Sequence, residues 1–159
     1  MRILPFLLFL IALLPGCDRA PADSSTQRYL PVTQFDPSRD GAVDLADAIG
    51  EATRSGRRVL VEVGGEWCSW CRRLDDLLAR DKELGDVRDR YYVAVKINWS
   101  VENRNEKVLS SFPKIPGYPH LFVLAPDGTL LHSQDTAELE SGDGHDPARV
   151  LAFLKRWAG

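Results

Sequence analysis

Scarcities in this sequence each remove a class of function. No basic face stands out: 20 Lys and Arg are interleaved with 23 Asp and Glu for a net charge of -3. The one-sided positive field that nucleic-acid binding draws on is therefore missing, and no nucleic-acid partner is expected. No apolar run reaches the roughly 20 residues of a membrane-spanning helix; the run from Ile3 to Leu14 falls short and contains Pro5. No segment recurs, which excludes a repeat array. Only three cysteines are present, with one Cys-x-x-Cys and no second. A structural zinc site usually takes four ligands, and only His120, His132 and His145 could complete one here. With 159 residues and 44% hydrophobic content, the chain can build one compact domain but not two.

What is present at the N-terminus is a charged start, Met1-Arg2, then the short apolar run, then Pro15-Gly16-Cys17. That is the layout of a secretory signal over residues 1–16. Leu14-Pro15-Gly16-Cys17 also resembles a bacterial lipobox, which implies an acylated Cys17 as the mature N-terminus. Stable anchoring takes more than one acyl chain, each buried methylene contributing about 0.8 kcal/mol. Asp18 resembles an inner-membrane retention signal. The expectation is a protein lipid-anchored on the periplasmic side of a bacterial inner membrane. Acylating Cys17 would also leave Cys68 and Cys71 as a self-contained pair, so the cysteine count closes.

From Asp18 to about Asp40 the composition is that of a tether, rich in Pro, Ser, Thr, Asp and Gln, with a docked arm through Tyr29, Leu30, Val32 and Phe35 as the alternative. Helical spacing of apolar residues from Val43 to Ala52 predicts a helix stopped by Ser55-Gly56. Val59 to Val63 reads as a buried strand with Glu62 as its odd member. Leu74, Leu77 and Leu78 share one face of a helix from near Cys68 to about Arg80, followed by a short helical piece from Lys82 to Arg88. Tyr92 to Asn98 alternates as a strand, and Glu102 to Ser111 reads as a surface helix. Pro113, Pro116 and Pro119 forbid a helix ahead of the strand Leu121–Leu124. Pro126-Asp127-Gly128 turns into a hairpin partner, Thr129 to Ser133, and Glu138 to His145 reads as a loop. Asp146 and Pro147 start a terminal helix with Val150, Leu151, Leu154 and Trp157 as its buried stripe. The expected fold is α/β, a central mixed sheet of about four strands with helices on both faces.

This order, together with Trp67-Cys68-Ser69-Trp70-Cys71 and Gly117-Tyr118-Pro119 just ahead of a strand, resembles the thioredoxin superfamily over about residues 41–159. Within it, Gly64 to Cys71 and Lys114 to Asp135 are similar to small exported proteins related to the C-terminal domain of the membrane-embedded thiol:disulfide interchange reductase. The resemblance implies that Cys68 is an exposed attacking nucleophile and Cys71 the buried resolving thiol. It implies a cis-Pro119 that lets Tyr118 pair with a substrate chain, Trp67 packed beside the active sulfur, and Glu62 as an acid beneath Cys71. Glu stands here where Asp is commoner, and Ser-Trp replaces Gly-Pro between the cysteines.

The chemistry follows from position. Only a thiolate attacks a disulfide, and an ordinary cysteine, with a pKa of about 8.5, is largely protonated at neutral pH. Unpaired N–H groups and the positive end of a helix dipole favour an anion at Cys68. Cys71, one turn on, then displaces the product, and Glu62 is the candidate acceptor of its proton. Duller readings stand beside these: a structural disulfide or half a metal site for the cysteines, a strand-edge role for Glu62, and docking or core packing for Trp70. His120, next to Pro119, is expected near Cys68 as a thiolate support, a copper ligand or a bystander. The leading expectation is an exported thiol:disulfide oxidoreductase reducing disulfide-containing proteins, without a cofactor and fed by a membrane-bound electron donor. The alternatives are a copper metallochaperone using Cys68 and Cys71, and a non-catalytic adaptor.

Overall fold

The computed structural model describes residues 29–159. The expected signal peptide, Cys17 and the tether as far as residue 28 lie outside the described residues. Helix α1 (Gly41–Ser55) is capped at its start by the Asp40 carboxylate, which accepts from the Ala42 N–H, and ends on Gly56 at φ 72°, a conformation glycine adopts without a Cβ penalty. Strand β1 (Arg58–Gly64), helix α2 (Ser69–Arg80), helix α3 (Lys82–Tyr91) and strand β2 (Tyr92–Asn98) follow, then the single turn α4 (Glu106–Leu109). Strands β3 (His120–Leu124) and β4 (Leu130–Asp135), a 3-10 turn (Thr136–Leu139), the small hairpin β5 (Glu140–Ser141) and β6 (Gly144–His145), and helix α5 (Pro147–Arg156) complete the chain. Asp81 and Asp146 cap α3 and α5, each accepting from two backbone N–H groups.

The main sheet has the order β2-β1-β3-β4. β1 runs parallel to β2 and antiparallel to β3, and β3 runs antiparallel to β4. Strand side chains alternate between faces, so Val59, Val61 and Val63 face one core with Val93, Val95, Ile97 and Phe122, closed by Leu45, Ala48 and Ala52 of α1. Leu60, Leu121 and Val123 face the other core, closed by Leu74 and Leu78 of α2, Leu84 of α3, and Val150, Phe153 and Leu154 of α5. The mixed four-stranded sheet with helices on both faces matches the expectation. Among the described residues, no helix is long and apolar enough to cross a membrane.

Three segments differ from the sequence reading. The helix expected over Glu102 to Ser111 shrinks to Glu106–Leu109, because side chains in the preceding loop satisfy the backbone instead. Asn98 Nδ2 donates to the Ser100 hydroxyl (3.1 Å) and the Asn103 carbonyl (2.9 Å), and Asn105 Nδ2 donates to the Asn98 carbonyl at 2.8 Å. Such local bonds compete with helix formation. The loop expected over Glu138 to His145 contains the β5/β6 hairpin. From residue 29 onward the expected tether is a docked arm, the alternative of the two readings: the Tyr29 hydroxyl donates to the Ala94 carbonyl at 3.2 Å, the Lys96 N–H to the Val32 carbonyl at 3.2 Å, and Phe35 is buried.

Candidate active site

The site is built where β1 runs out. A Cβ on Gly64 would stand 2.5 Å from Cys71 Sγ and 3.0 Å from Phe35 Cζ, so only glycine lets these two groups close over the strand end. Gly65 serves Trp67 in the same way, since a Cβ there would lie 2.4 Å from the indole nitrogen. The chain then turns through the Cys68 N–H donating to the Gly65 carbonyl at 2.9 Å, and α2 begins. Cys68 is its N-cap, with Sγ accepting from the Cys71 N–H at 3.1 Å. The two sulfurs are joined as a disulfide. This is the oxidised form of the pair, held at the positive end of a three-turn helix where a thiolate is stabilised on reduction.

Cys71 is 1% exposed and Cys68 4%. The expected contrast between an exposed and a buried cysteine is therefore small, because both cysteines belong to one buried cluster with Phe35, against which Trp70 and Tyr118 pack. The Tyr118–Pro119 peptide bond is cis, and the buried Thr136 hydroxyl donates to the Pro119 carbonyl at 2.5 Å. Trp67 is 54% exposed. Its indole N–H donates to the Trp99 carbonyl at 2.8 Å, and its ring meets Tyr118 edge-on at 5.6 Å while Trp99 stacks on Tyr118 at 4.9 Å. The result is an aromatic shelf beside the disulfide. Trp70 is half-buried, with its ring perpendicular to that of His145 on β6 and the Arg73 guanidinium 4.7 Å above it, which makes it a packing residue for the hairpin.

Glu62 lies two residues before Gly64 on β1, so both point to the same face, about 7 Å apart along the strand. It is buried, and one oxygen, Oε2, meets Lys96 Nζ at 3.2 Å. Oε1 is buried with no hydrogen-bond partner. Glu62 has only a half-share of this cation, because Lys96 Nζ also binds Asp75 of α2 at 2.5 Å. Burial pushes the Glu62 carboxyl up to about 7, against the attraction of Lys96 and reinforced by Asp75. A cavity of about 680 Å³ between the arm and α2 is lined by Thr33, Glu62, Asp75 and Lys96 among others.

His120 is not at the sulfur. Its ring packs on Phe122 at 4.7 Å and shares a 2.8 Å hydrogen bond with Ser133 Oγ, on the sheet face opposite Gly64. The reason is strand parity: β3 pairs His120 with Val63, whose side chain belongs to the α1 core. Burial lowers the His120 pKa. Among the described residues, no group of three or more His, Cys, Asp and Glu side chains is gathered to hold a metal ion, so a copper site loses His120 as its third ligand. Phe35, Gly64, Lys96 and Trp99 are site residues that sequence reasoning missed. Gly64 and Lys96 were visible as a strand-ending glycine and the charged member of an apolar strand, whereas nothing local marks Phe35 as a neighbour of the cysteines or Trp99 as a partner of Trp67 and Tyr118.

A thioredoxin-like family profile matches residues 40–126, more than half of the chain. A thiol:disulfide interchange protein DsbD from Pseudomonas fluorescens is 27% identical over 119 residues, 72% of this chain. The chain spans 18% of that protein's length. A disulphide isomerase from Xylella fastidiosa superposes with a TM-score of 0.68 at 22% identity, covering 80% of this chain and 97% of its own. A DsbH oxidoreductase superposes with a TM-score of 0.57 at 16% identity, covering 87% and 94%. Both structures share the fold.

Proposed function

Because the chain belongs to the thioredoxin-like family and carries the Cys68/Cys71 pair of a thiol:disulfide oxidoreductase, we propose that it reduces disulfide-containing proteins on the periplasmic side of a bacterial membrane. In this reading it is held there by lipid on Cys17 and re-reduced by a membrane-bound electron donor. The observation that carries the reductase reading is the juxtaposition of the disulfide at the start of α2 with the buried, half-paired Glu62 on the strand beneath it. The kinship with a bacterial interchange protein supports the compartment.

In the reduced enzyme the Cys68 thiolate attacks one sulfur of the substrate disulfide and expels the other as a thiolate, which takes a proton. Cys71 gives its proton to Glu62, attacks Cys68 Sγ and releases the second substrate sulfur as a thiolate, which takes up the proton that Glu62 holds. The substrate gains two electrons and two protons. The enzyme is left with the Cys68–Cys71 disulfide seen here, which the donor's two electrons reopen. Tyr118, Pro119 and Trp67 border the sulfur where an extended substrate chain would lie, and Trp67 offers it an exposed apolar face.

Cys68→Ser abolishes disulfide exchange in this reading, and Cys71→Ser accumulates a covalent complex with the substrate protein, visible on non-reducing gels. Full exchange by Cys68→Ser would refute it. Redox titration against glutathione decides direction: a potential near about -270 mV agrees with a reductase, and one near about -120 mV, the range of strong oxidants, overturns that part.

A further inference from the structure

The least expected group at the disulfide comes from outside the α/β core. Phe35 belongs to the docked arm, yet it is 4% exposed and packs with Cys68 and Cys71 in one cluster. Its ring fills the space above Gly64 that any other residue in β1 would occupy, with Cζ 3.0 Å from where a Cβ would stand beside Cys71 Sγ. The Lys96 ammonium lies 4.3 Å from the centre of the same ring. One aromatic ring thus touches both the sulfur pair and the cation that serves Glu62 and Asp75.

We propose that Phe35 is a positioning residue of the redox site, sealing Cys71 from solvent and holding the Lys96 ammonium on the carboxylate side of the sulfur. This deepens the proposed function and rests on Cys68 and Cys71 as the redox pair. The arm is one chain thick here, since Thr33, Gln34 and Pro37 on either side are exposed. Truncating the ring therefore opens a path to Cys71 without disturbing a second layer of packing. The arm stays attached by its own bonds, Val32 to Lys96 through the backbone and Asn103 Nδ2 donating to the Pro37 and Arg39 carbonyls at 3.0 and 2.9 Å.

The Lys96 ammonium against the ring shares its cavity with Glu62, Glu66, Asp75 and Arg88, and Arg88 adds its attraction to the Glu62 carboxylate. Glu62 of β1 and Asp75 of α2 hold Lys96 of β2. On the arm, Asp36 Oδ1 accepts from the Ser38 N–H and hydroxyl, and Arg39 pairs with Asp44. In the loop after β2, Arg104 lies over Trp99, and on the hairpin side His145 meets Trp70. Lys96 is the charge that meets the Phe35 ring itself. With the ring gone, water and the ammonium both favour a Cys71 thiolate, so its reactivity rises at a given pH.

The test uses the full chain carrying Cys68→Ser, in which iodoacetamide alkylation of Cys71 is followed by peptide mass spectrometry so that Cys17 is read separately. Phe35→Ala in this background raises the Cys71 alkylation rate at pH 7 by about tenfold or more and moves the pH of half-maximal rate downward. Phe35→Leu, which keeps most of the apolar bulk, gives an intermediate rate. A Phe35→Ala protein that melts cooperatively yet alkylates at the parent rate with the parent pH profile overturns the proposal. If Phe35→Ala does not fold, Phe35→Leu carries the test: an increase of about threefold is expected, and an unchanged rate overturns it. Alkylation does not depend on turnover, so this result stands apart from the loss of exchange that tests the redox function itself.

Discussion

Lys96 reaches its register partner Glu62 across β2 and β1 at 3.2 Å while giving its shorter contact, 2.5 Å, to Asp75 of α2. One nearly buried cation is thereby divided between two carboxylates, and the more deeply buried of them receives the weaker share. Burial of Glu62 without a partner for Oε1 then outweighs the attraction of Lys96 and carries its carboxyl to about 7. At that value an acid can take and return a proton near neutrality, which is what a resolving thiol requires of its neighbour.

Glu62→Gln tests this acid in two ways. The folded-state value of about 7 lies above the ordinary 4.5, so the native state holds a proton that the unfolded chain has lost across that interval. Stability from this group is fully present below about pH 4.5 and is lost as pH rises through about 7, by at most about 3 kcal/mol. Denaturant midpoints measured from pH 4 to 8 should show that decline in the parent and lose it in Glu62→Gln. The same substitution should slow release of the mixed disulfide at pH 7 by about 10- to 100-fold, read by stopped-flow decay of the covalent complex.

Lys96→Met removes the cation that favours the Glu62 carboxylate. The Glu62 carboxyl should rise further, and the pH at which mixed-disulfide resolution reaches half its maximum should move upward. A profile superimposable on that of the parent would show that Lys96 does not tune the acid.

Gly64→Ala places a Cβ against Cys71 Sγ and the Phe35 ring. Neither is the free end of a flexible side chain, so either the strand end or the arm must shift. The expected cost is about 1–3 kcal/mol, measured as a drop in the chemical-denaturation midpoint of the oxidised protein. Gly50, whose Cβ would meet nothing within 4 Å, is the control; being helical, Gly50→Ala should be stabilising by roughly 0.5–1 kcal/mol.

Trp67→Ala and Tyr118→Ala each remove one wall of the aromatic shelf without touching the sulfurs' bonds. With a protein disulfide as substrate, each should raise KM by about 2- to 10-fold. With a small-molecule disulfide, which needs no shelf, kcat/KM should stay within about twofold of the parent. Equal losses on both substrates would place these residues in support of the disulfide itself.

Elements with local signals were legible before any fold was known. The alternating apolar residues of β1 and β2, the prolines ahead of β3, the Asp146-Pro147 helix start and the Cys-x-x-Cys at the head of an amphipathic helix depend on near neighbours in the chain, and all appear where periodicity and capping chemistry put them. Glu62 was conspicuous for the same reason, as a charge inside an apolar strand.

What only the folded chain decided were relations between segments far apart in sequence. Parity across the β1/β3 register turned His120 away from the sulfur, though it follows Pro119 directly. The pairing of β1 with β2 brought Lys96 to Glu62, and helix packing brought Asp75 to the same ammonium. The arm laid Phe35 over Cys71 because Gly64 left a vacancy there that an apolar ring fills. Periodicity records which face of its own element a residue occupies. Which remote side chain meets that face depends on register and on the volume left unfilled, and those are properties of the packed whole.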